Sequence, residues 1–439
     1  MRNVKLLVLL LLSAMIQTAL MAQQSWTLEE CIEYAHANNL QVKQQMIAVK
    51  QAEINVKQSK LDFIPSFNAS AGHNFNWGKS VNINDLEITN QLTQSTTANV
   101  SASTPVIEGL AKHNVLKSNR TQLHISQQEV EKLKNEITIS ITQAYLQVLL
   151  SMEIEKSARE SFNSVEQQVA RTKMLVDAGS QPYSALLDIE AQLAAERVQL
   201  VTATNDIKSN SLTLAQLMDL PQGSTFNIEI PEIDDSLALF IKEEIDGIYN
   251  RATTLPQIRS AELMLQKSRY DYKTQKGYLY PSISFNAGYG TYFSDSQSSR
   301  FFDQFNENRN PSIGFSLSVP IFNGWRRSAA VRNARLNVES AEIELERRHH
   351  NLYKEIQQAS NNAENSYEKY KAALQNMKAS EESFQYVEDK FNAGALNGTD
   401  YIVAKTNLFK SQSEFYQTKF QYIFLLKILD FYKGTPIKL

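Results

Sequence analysis

Few residue groupings in this chain are placed to do covalent chemistry. His349 and His350 are adjacent, so on a helix they point to different faces and cannot form the i, i+4 pair that grips a metal. Cys31 is the single cysteine, which excludes an internal disulfide framework and reads as a small core residue on the first helix. The chain carries no HExxH, P-loop or GxSxG pattern. Gly288-Tyr289-Gly290 lies inside an alternating run and reads as small residues on a strand. Arg326 and Arg327 open a helix, where the macrodipole disfavours cations. They call for anionic partners, either phosphates at a membrane surface or acids such as Glu339. Asp400 follows Gly394 by six residues, a place for a helix cap or a first-turn carboxylate. No nucleophile, metal cluster or phosphate loop emerges, so the sequence is read as a non-enzyme that needs no cofactor.

The elements that position these residues occur twice. A shift of about 215 residues superposes Ile64-Pro65-Ser66 on Tyr280-Pro281-Ser282 and Thr104-Pro105-Val106 on Val319-Pro320-Ile321. The same shift superposes Leu40-Gln41-Val42 on Leu255-Pro256-Gln257-Ile258 and Asp177-Ala178-Gly179 on Asn392-Ala393-Gly394. The first repeat spans 23–235 and the second 236–439, with the seam near Pro221 to Asp235. In the first we expect a leading helix over 27–61, a strand pair within 64–106, a long helix over 111–176 and a return helix over 183–220. In the second we expect a leading helix over 243–277, a strand pair within 281–321, a long helix over 326–391 and a return helix over 399–432. Apolar residues in the long helices recur at coiled-coil spacing, as in Val130, Leu133, Ile137, Ile141, Ala144 and Val148. A helix of about 66 residues spans on the order of 100 Å. A leading and a return helix end to end match that length, so each repeat makes a long hairpin with strands at one end and a turn at the other. Gly179 and Gly394 suit the left-handed caps that close such turns.

The four strands share a pattern. Ile313, Phe315, Leu317, Val319 and Ile321 alternate with Ser312, Gly314, Ser316 and Ser318. Ile283, Phe285, Ala287 and Tyr289 alternate with Ser282, Ser284, Asn286 and Gly288, and the first two strands repeat the theme more weakly. One face is apolar and the other small, polar and uncharged. Strands of about ten residues cross a bilayer when tilted. Four strands cannot close a barrel, and an open edge is not tolerated in lipid, so copies of the chain must pool their strands. Trp77, Tyr289, Tyr292 and Phe293 at one end, with Phe322 and Trp325 at the other, form either aromatic girdles or ordinary strand packing.

Arg2, Lys5, the run Leu6–Leu12 and a small-residue site ending at Ala22 have the layout of a signal peptide over 1–22, with a membrane anchor as the alternative. After it, no stretch approaches the ~20 apolar residues of a spanning helix. Lys+Arg number 44 against Asp+Glu 47, and loss of the leader leaves a net charge of −5, a balance that argues against a nucleic-acid partner.

On these features the chain resembles the TolC-like outer membrane efflux proteins. The resemblance rests on Trp26-Thr27-Leu28-Glu29-Glu30-Cys31-Ile32 with Asn38-Asn39-Leu40, on Pro320-Ile321-Phe322-Asn323-Gly324 before the second long helix, and on the turns at Gly179 and Gly394. It implies a mainly α fold with a transmembrane β portion: a homotrimer with a twelve-stranded barrel in outer-membrane lipid above an α-helical periplasmic tunnel. It also implies a periplasmic adaptor gripping the helix tips at Gly179 and Gly394, an inner-membrane RND or ABC transporter, and an acidic constriction. Asp400 falls on one family position for that constriction. The second expected acid is Val403 here, and the first repeat offers Asp188. Three such carboxylates around an axis repel one another and attract cations. Small-molecule efflux is the expected task. Type I protein secretion is the alternative within this architecture, and a periplasmic coiled-coil adaptor or structural protein is the alternative outside it.

Overall fold

A computed structural model describes residues 25–81, 88–221, 223, 226–231, 240–396 and 398–439. The leader at 1–22 and part of the seam lie outside the described residues. In chain order the elements are α1 (Leu28–Asn38), α2 (Leu40–Leu61), β1 (Ser66–Val81), β2 (Ile88–Glu108), α3 (Ala111–Asp177) and α4 (Tyr183–Leu217). They continue with α5 (Ile245–Ala252), α6 (Pro256–Gly277), β3 (Ser282–Ser294), α7 (Phe301–Glu307), β4 (Asn310–Ser318), α8 (Arg326–Asn392) and α9 (Gly398–Lys433). Among the described residues the fold is mainly helical with one antiparallel sheet in the order β1-β2-β3-β4.

Contacts divide the chain into two compact units, each drawing on both halves of the sequence. One contains Val130–Pro256, His349–Leu439 and the described residues up to Gln45; the other contains Met46–Glu129 and Gln257–Arg348.

The first unit is helical. Its core joins Leu28, Cys31 and Ala35 of α1 to Ile137, Ile141, Tyr145 and Val148 of α3, Leu214 of α4, and Phe420 and Ile423 of α9. The Leu, Ile, Val and Phe side chains among these contribute roughly 1.5–3 kcal/mol each on burial. A reciprocal capping box starts α1: Glu30 N donates to Thr27 Oγ1 at 3.2 Å and Thr27 N to Glu30 Oε2 at 3.0 Å. The Tyr145 hydroxyl lies 2.6 Å from Glu229 O and 3.1 Å from Trp26 O, beside the isolated parallel bridge Trp26–Ile228. Burial, with Glu30 next in effect, pushes the Cys31 thiol up to about 12, which makes it inert. This core also corrects the expectation that no stretch after the leader is apolar enough to span a membrane. One 18-residue window of α3 passes by composition, and half of it is buried inside the protein.

Each expected leading helix is in fact two. Asn39 breaks the first: its Oδ1 accepts from Gln41 N at 2.9 Å while its Nδ2 donates to Leu217 O at 3.2 Å. The side chain thereby competes with helix bonding and starts α2 afresh. Thr253-Thr254-Leu255 break the second, because Pro256 starts α6 and cannot supply the N–H that α5 would need to continue.

His36 ties α1 to α3, with Nε2 3.1 Å from Lys134 O and 2.9 Å from Thr138 Oγ1. Burial holds its pKa below the ordinary 6.5, and the groups around it are Lys134, Glu131 and Glu33. The unfolded chain therefore takes up a proton here before the folded one does. Stability is fully present above pH 6.5 and falls as the pH drops through the window between that value and the folded-state pKa. Thermal melts at pH 7.5 and pH 5 should show a smaller acid loss in His36→Gln than in the parent; equal losses would remove His36 from the account.

The second unit carries the sheet on helices that pack through small polar groups. Asn119 Nδ2 donates to Ser59 Oγ at 2.5 Å, Ser118 Oγ to Asp271 Oδ1 at 2.6 Å and Ser260 Oγ to Glu129 Oε1 at 2.6 Å. The strands fall within the expected 64–106 and 281–321, apart from the end of β2 at Glu108, with ends set by neighbours. β1 and β2 run on to Val81 and back to Ile88 as one long hairpin. β4 stops at Ser318, paired with Ser282, because Pro281 and Pro320 flank that pair and donate no ladder hydrogen bond. Pro105 likewise coincides with a register shift between β2 and β3. The helix α7 was not expected. Gln304 anchors it from within, accepting from Ser294 N at 2.9 Å and donating to Ser299 O at 2.7 Å.

Candidate functional site

The tips of the two hairpins are built alike. At the end of α3, Gly179 adopts φ +72°; its N–H bonds Val176 O at 2.9 Å and Ser180 N–H bonds Leu175 O at 2.8 Å. At the end of α8, Gly394 adopts φ +74°, with Gly394 N–H to Phe391 O at 3.0 Å and Ala395 N–H to Lys390 O at 2.9 Å. Both are Schellman closures, which satisfy the last helical carbonyls and admit glycine most readily. Behind them the hairpins differ. The first packs Val165, Leu186 and Ile189; the second packs Phe384, Tyr401 and Leu408.

The structure does not bring the two candidate acids into one hollow. Asp188 is exposed on the second turn of α4 and lines a cavity of about 250 Å³ with Pro182, Ala185, Phe391, Thr399 and Ile402. Asp400 is exposed in the first turn of α9 and lines a separate cavity of about 630 Å³ with Tyr386, Lys390, Val403 and Asn407. In the protomer Asp400 occupies the position that the helix dipole favours for a carboxylate.

Three tip-region residues escape sequence reasoning. Arg171 on α3 reaches the end of α8, with Nη1 2.6 Å from Asn392 Oδ1 and Nη2 2.9 Å from Asn392 O. Glu196 on α4 is only 2% exposed; its Oε1 accepts from Gln192 Nε2 at 2.7 Å, and its Oε2 meets no hydrogen-bond donor among the described residues. Lys405 on α9 lies 4.8 Å from the Phe384 ring centroid. Burial pulls its pKa below the ordinary 10.5, against the opposing pull of Glu388, Glu196 and Glu160. The available signal was a charge in an apolar stripe: Lys405 stands between Tyr401 and Leu408 at the i, i+4, i+7 spacing of a buried face.

The arginines that open α8 are also accounted for. The Arg327 guanidinium donates to Tyr278 O, and Arg326 Nε to Asn323 O at 3.3 Å. They meet backbone carbonyls, while Glu339 pairs with Arg335 at 3.4 Å. His349 is half-buried, its Nδ1 2.9 Å from the Tyr249 hydroxyl.

The sheet supplies the second functional surface. On its apolar face Phe67, Ile313, Phe315 and Leu317 are 74%, 78%, 72% and 66% exposed, an extent of bare apolar surface that marks contact with lipid or protein. On the other face an uncharged row crosses three strands: Ser103 Oγ donates to Asn286 Oδ1 at 2.9 Å, and Asn286 Nδ2 to Ser316 Oγ at 3.1 Å.

The described elements are thus long helices paired at their tips in the first unit, and a four-stranded antiparallel sheet with a bare apolar face in the second. The Campylobacter jejuni CmeC outer membrane channel shares this fold, with a TM-score of 0.79 at 16% identity over 93% of this chain and 85% of that one. A family model described as outer membrane efflux protein matches residues 31–219 and 250–423, well over half of the sequence, and the chain belongs to that family. The outer membrane protein TolC of Escherichia coli K12 is 21% identical over 416 residues, spanning 91% of this chain and 80% of that protein. The proteases secretion protein PrtF of Dickeya chrysanthemi is 20% identical over 429 residues, spanning 94% and 89%. The protein is an outer-membrane channel of the efflux or secretion type.

Proposed function

We propose that three copies of this chain form one duct through which small molecules leave the cell, driven by an inner-membrane RND or ABC transporter and coupled to it by a periplasmic adaptor. The observation that carries this reading is the sheet, which has two edge strands, β1 and β4, and an apolar face open to its surroundings. A sheet of this kind is tolerated in lipid only when its edges are closed by further strands, and three four-stranded sheets supply a twelve-stranded barrel. The chain is read as two repeats, each contributing a strand pair and a hairpin. The adaptor grips the tips around Gly179 and Gly394. Asp400, with Asp188 as the weaker candidate, narrows the periplasmic end, and rearrangement of the tips opens it.

Purified oligomer in planar bilayers should conduct ions; absence of conductance from protein that stays dispersed without detergent would overturn the duct. Asp400→Ala should raise conductance or weaken block by cations by a few-fold, whereas no change in either would leave Asp400 as a helix-start residue only. A second reading, export of a protein in type I secretion, is favoured by the match to PrtF along most of its length. Complementation of a secretion-deficient and an efflux-deficient host with the same gene separates the two.

A further inference from the structure

We infer that β4 pairs with β1 of a second copy of this chain in one defined register, Phe315 lying opposite His73 of the partner subunit, and that the turn Gly324–Trp325 receives the end of α2 from that copy. This rests on the oligomer and the repeats proposed above.

The two strand-to-helix junctions are built to one plan. Gly109 and Leu110 precede α3 with φ +53° and +61°; Gly324 and Trp325 precede α8 with φ +62° and +67°. The second residue of each long helix then reaches back to its own repeat: Lys112 Nζ donates to Asp62 O and the Arg327 guanidinium to Tyr278 O. Residues equivalent by structure therefore differ by 215 on the strand-to-helix side (Gly109 and Gly324) and by 216 on the helix-to-strand side (Asp62 and Tyr278).

Within the chain, the first junction meets the leading helix of the second repeat. A Cβ on Gly109 would stand 2.1 Å from Gly277 O, at the end of α6. Beyond the register shift between Pro105 and Ile107, β2 and β3 pair with Ala98 opposite Thr291, Val100 opposite Tyr289 and Ala102 opposite Ala287. The converse combination, the second junction with the end of α2, is not made within the protomer. A Cβ on Gly324 would find nothing within 4 Å, Trp325 and Leu61 are 58% and 47% exposed, and β4 and β1 are the sheet edges.

Carrying the internal pairing across the repeats converts each β2–β3 pair into a β4–β1 pair. Ala98 with Thr291 becomes Ile313 with Phe75 of the partner subunit. Val100 with Tyr289 becomes Phe315 with His73 of the partner subunit. Ala102 with Ala287 becomes Leu317 with Ala71 of the partner subunit. Matching apolar face to apolar face allows any shift by two residues and forbids shifts by one; the repeat equivalence selects one of the allowed set. The two interfaces differ at the junction. Leu61 and Arg326 stand where Gly277 and Ala111 stand, so the backbones at the second junction sit further apart, and Leu61 and Trp325 fill the space between them.

The test is cross-linking of double-cysteine variants in detergent-solubilised oligomer under a copper(II) oxidant, read as covalent multimers on a denaturing gel. Opposed strand residues have Cα atoms about 4.5–5.5 Å apart, within disulfide reach, whereas partners displaced by two residues are about 7–8 Å apart. Native Cys31 is buried and does not compete. Phe315→Cys with His73→Cys, and independently Leu317→Cys with Ala71→Cys, should cross-link about tenfold more than Phe315→Cys with Ala71→Cys or with Phe75→Cys. Two in-register pairs guard against one variant failing to fold. Stronger cross-linking by a displaced pair, or none by any pair in an intact oligomer, overturns the register while the oligomer stands. A single-chain mass for the unmodified protein by light scattering overturns the oligomer and the register together.

Discussion

Alanine at Gly109 is expected to destabilise the sheet-bearing unit by about 2–5 kcal/mol, while alanine at Gly72 leaves it within about 0.5 kcal/mol of the parent. Two independent costs meet at Gly109. Its φ of +53° places any L side chain in the left-handed region, at about 1–2 kcal/mol. The added Cβ would also stand 2.1 Å from Gly277 O and 2.9 Å from Gly277 C. Those are backbone atoms at the end of a helix, which cannot rotate aside as a flexible side chain would, and overpacking of this kind costs about 1–3 kcal/mol. Gly72 sits in β1, where an added Cβ meets only Thr97 Oγ1 at 3.6 Å, an ordinary contact. Denaturant melts of the two variants in detergent separate the cases. A Gly109→Ala protein as stable as Gly72→Ala would mean that the β2–α3 junction is looser than the backbone positions indicate, and with it the template for pairing between copies.

What the sequence made legible follows from how local each signal is. The alternation in β3 and β4 and the glycines at the tips act within a few residues, and the strands and turns stand where those signals lie, apart from their ends. The ends depend on neighbours. β4 stops at Ser318 because of a proline on its partner's side as well as its own, and the break at Asn39 is held by Leu217, far away in the chain. The helix α7 left only a short aromatic cluster, Phe301, Phe302 and Phe305, and a glutamine whose role appears only when the carbonyls of Gln297 and Ser299 gather around it. At the tips, the glycines and Asp400 can be found from spacing, but the reach of Arg171 to Asn392 joins residues 221 apart, and no periodicity encodes such a contact.

Arg171→Ala is expected to raise the open fraction of the duct about twofold to twenty-fivefold. The guanidinium makes two hydrogen bonds to Asn392, one to the side-chain amide oxygen at 2.6 Å and one to the backbone carbonyl at 2.9 Å. It thereby ties the end of the second long helix to the first hairpin. Hydrogen bonds from a charged donor contribute about 1.5–3 kcal/mol each when sheltered; these are exposed, and about 0.4–2 kcal/mol for the pair is the corresponding allowance. Each 1.4 kcal/mol is roughly a factor of ten in a two-state balance, so for a tip closed about 100:1 the ratio falls to between about 50:1 and 3:1. Arg171→Lys keeps the charge and loses the fork, and should lie between the parent and the alanine variant. Salt separates this contact from the proposed acidic constriction. Asn392 is neutral, so raising ionic strength toward 1 M, where the screening length is about 3 Å, should leave the Arg171→Ala effect nearly intact while suppressing most of the Asp400→Ala effect. Single-channel recording of both variants at low and high salt gives the answer. An open fraction unmoved by Arg171→Ala at either salt would place the closure of the tip elsewhere.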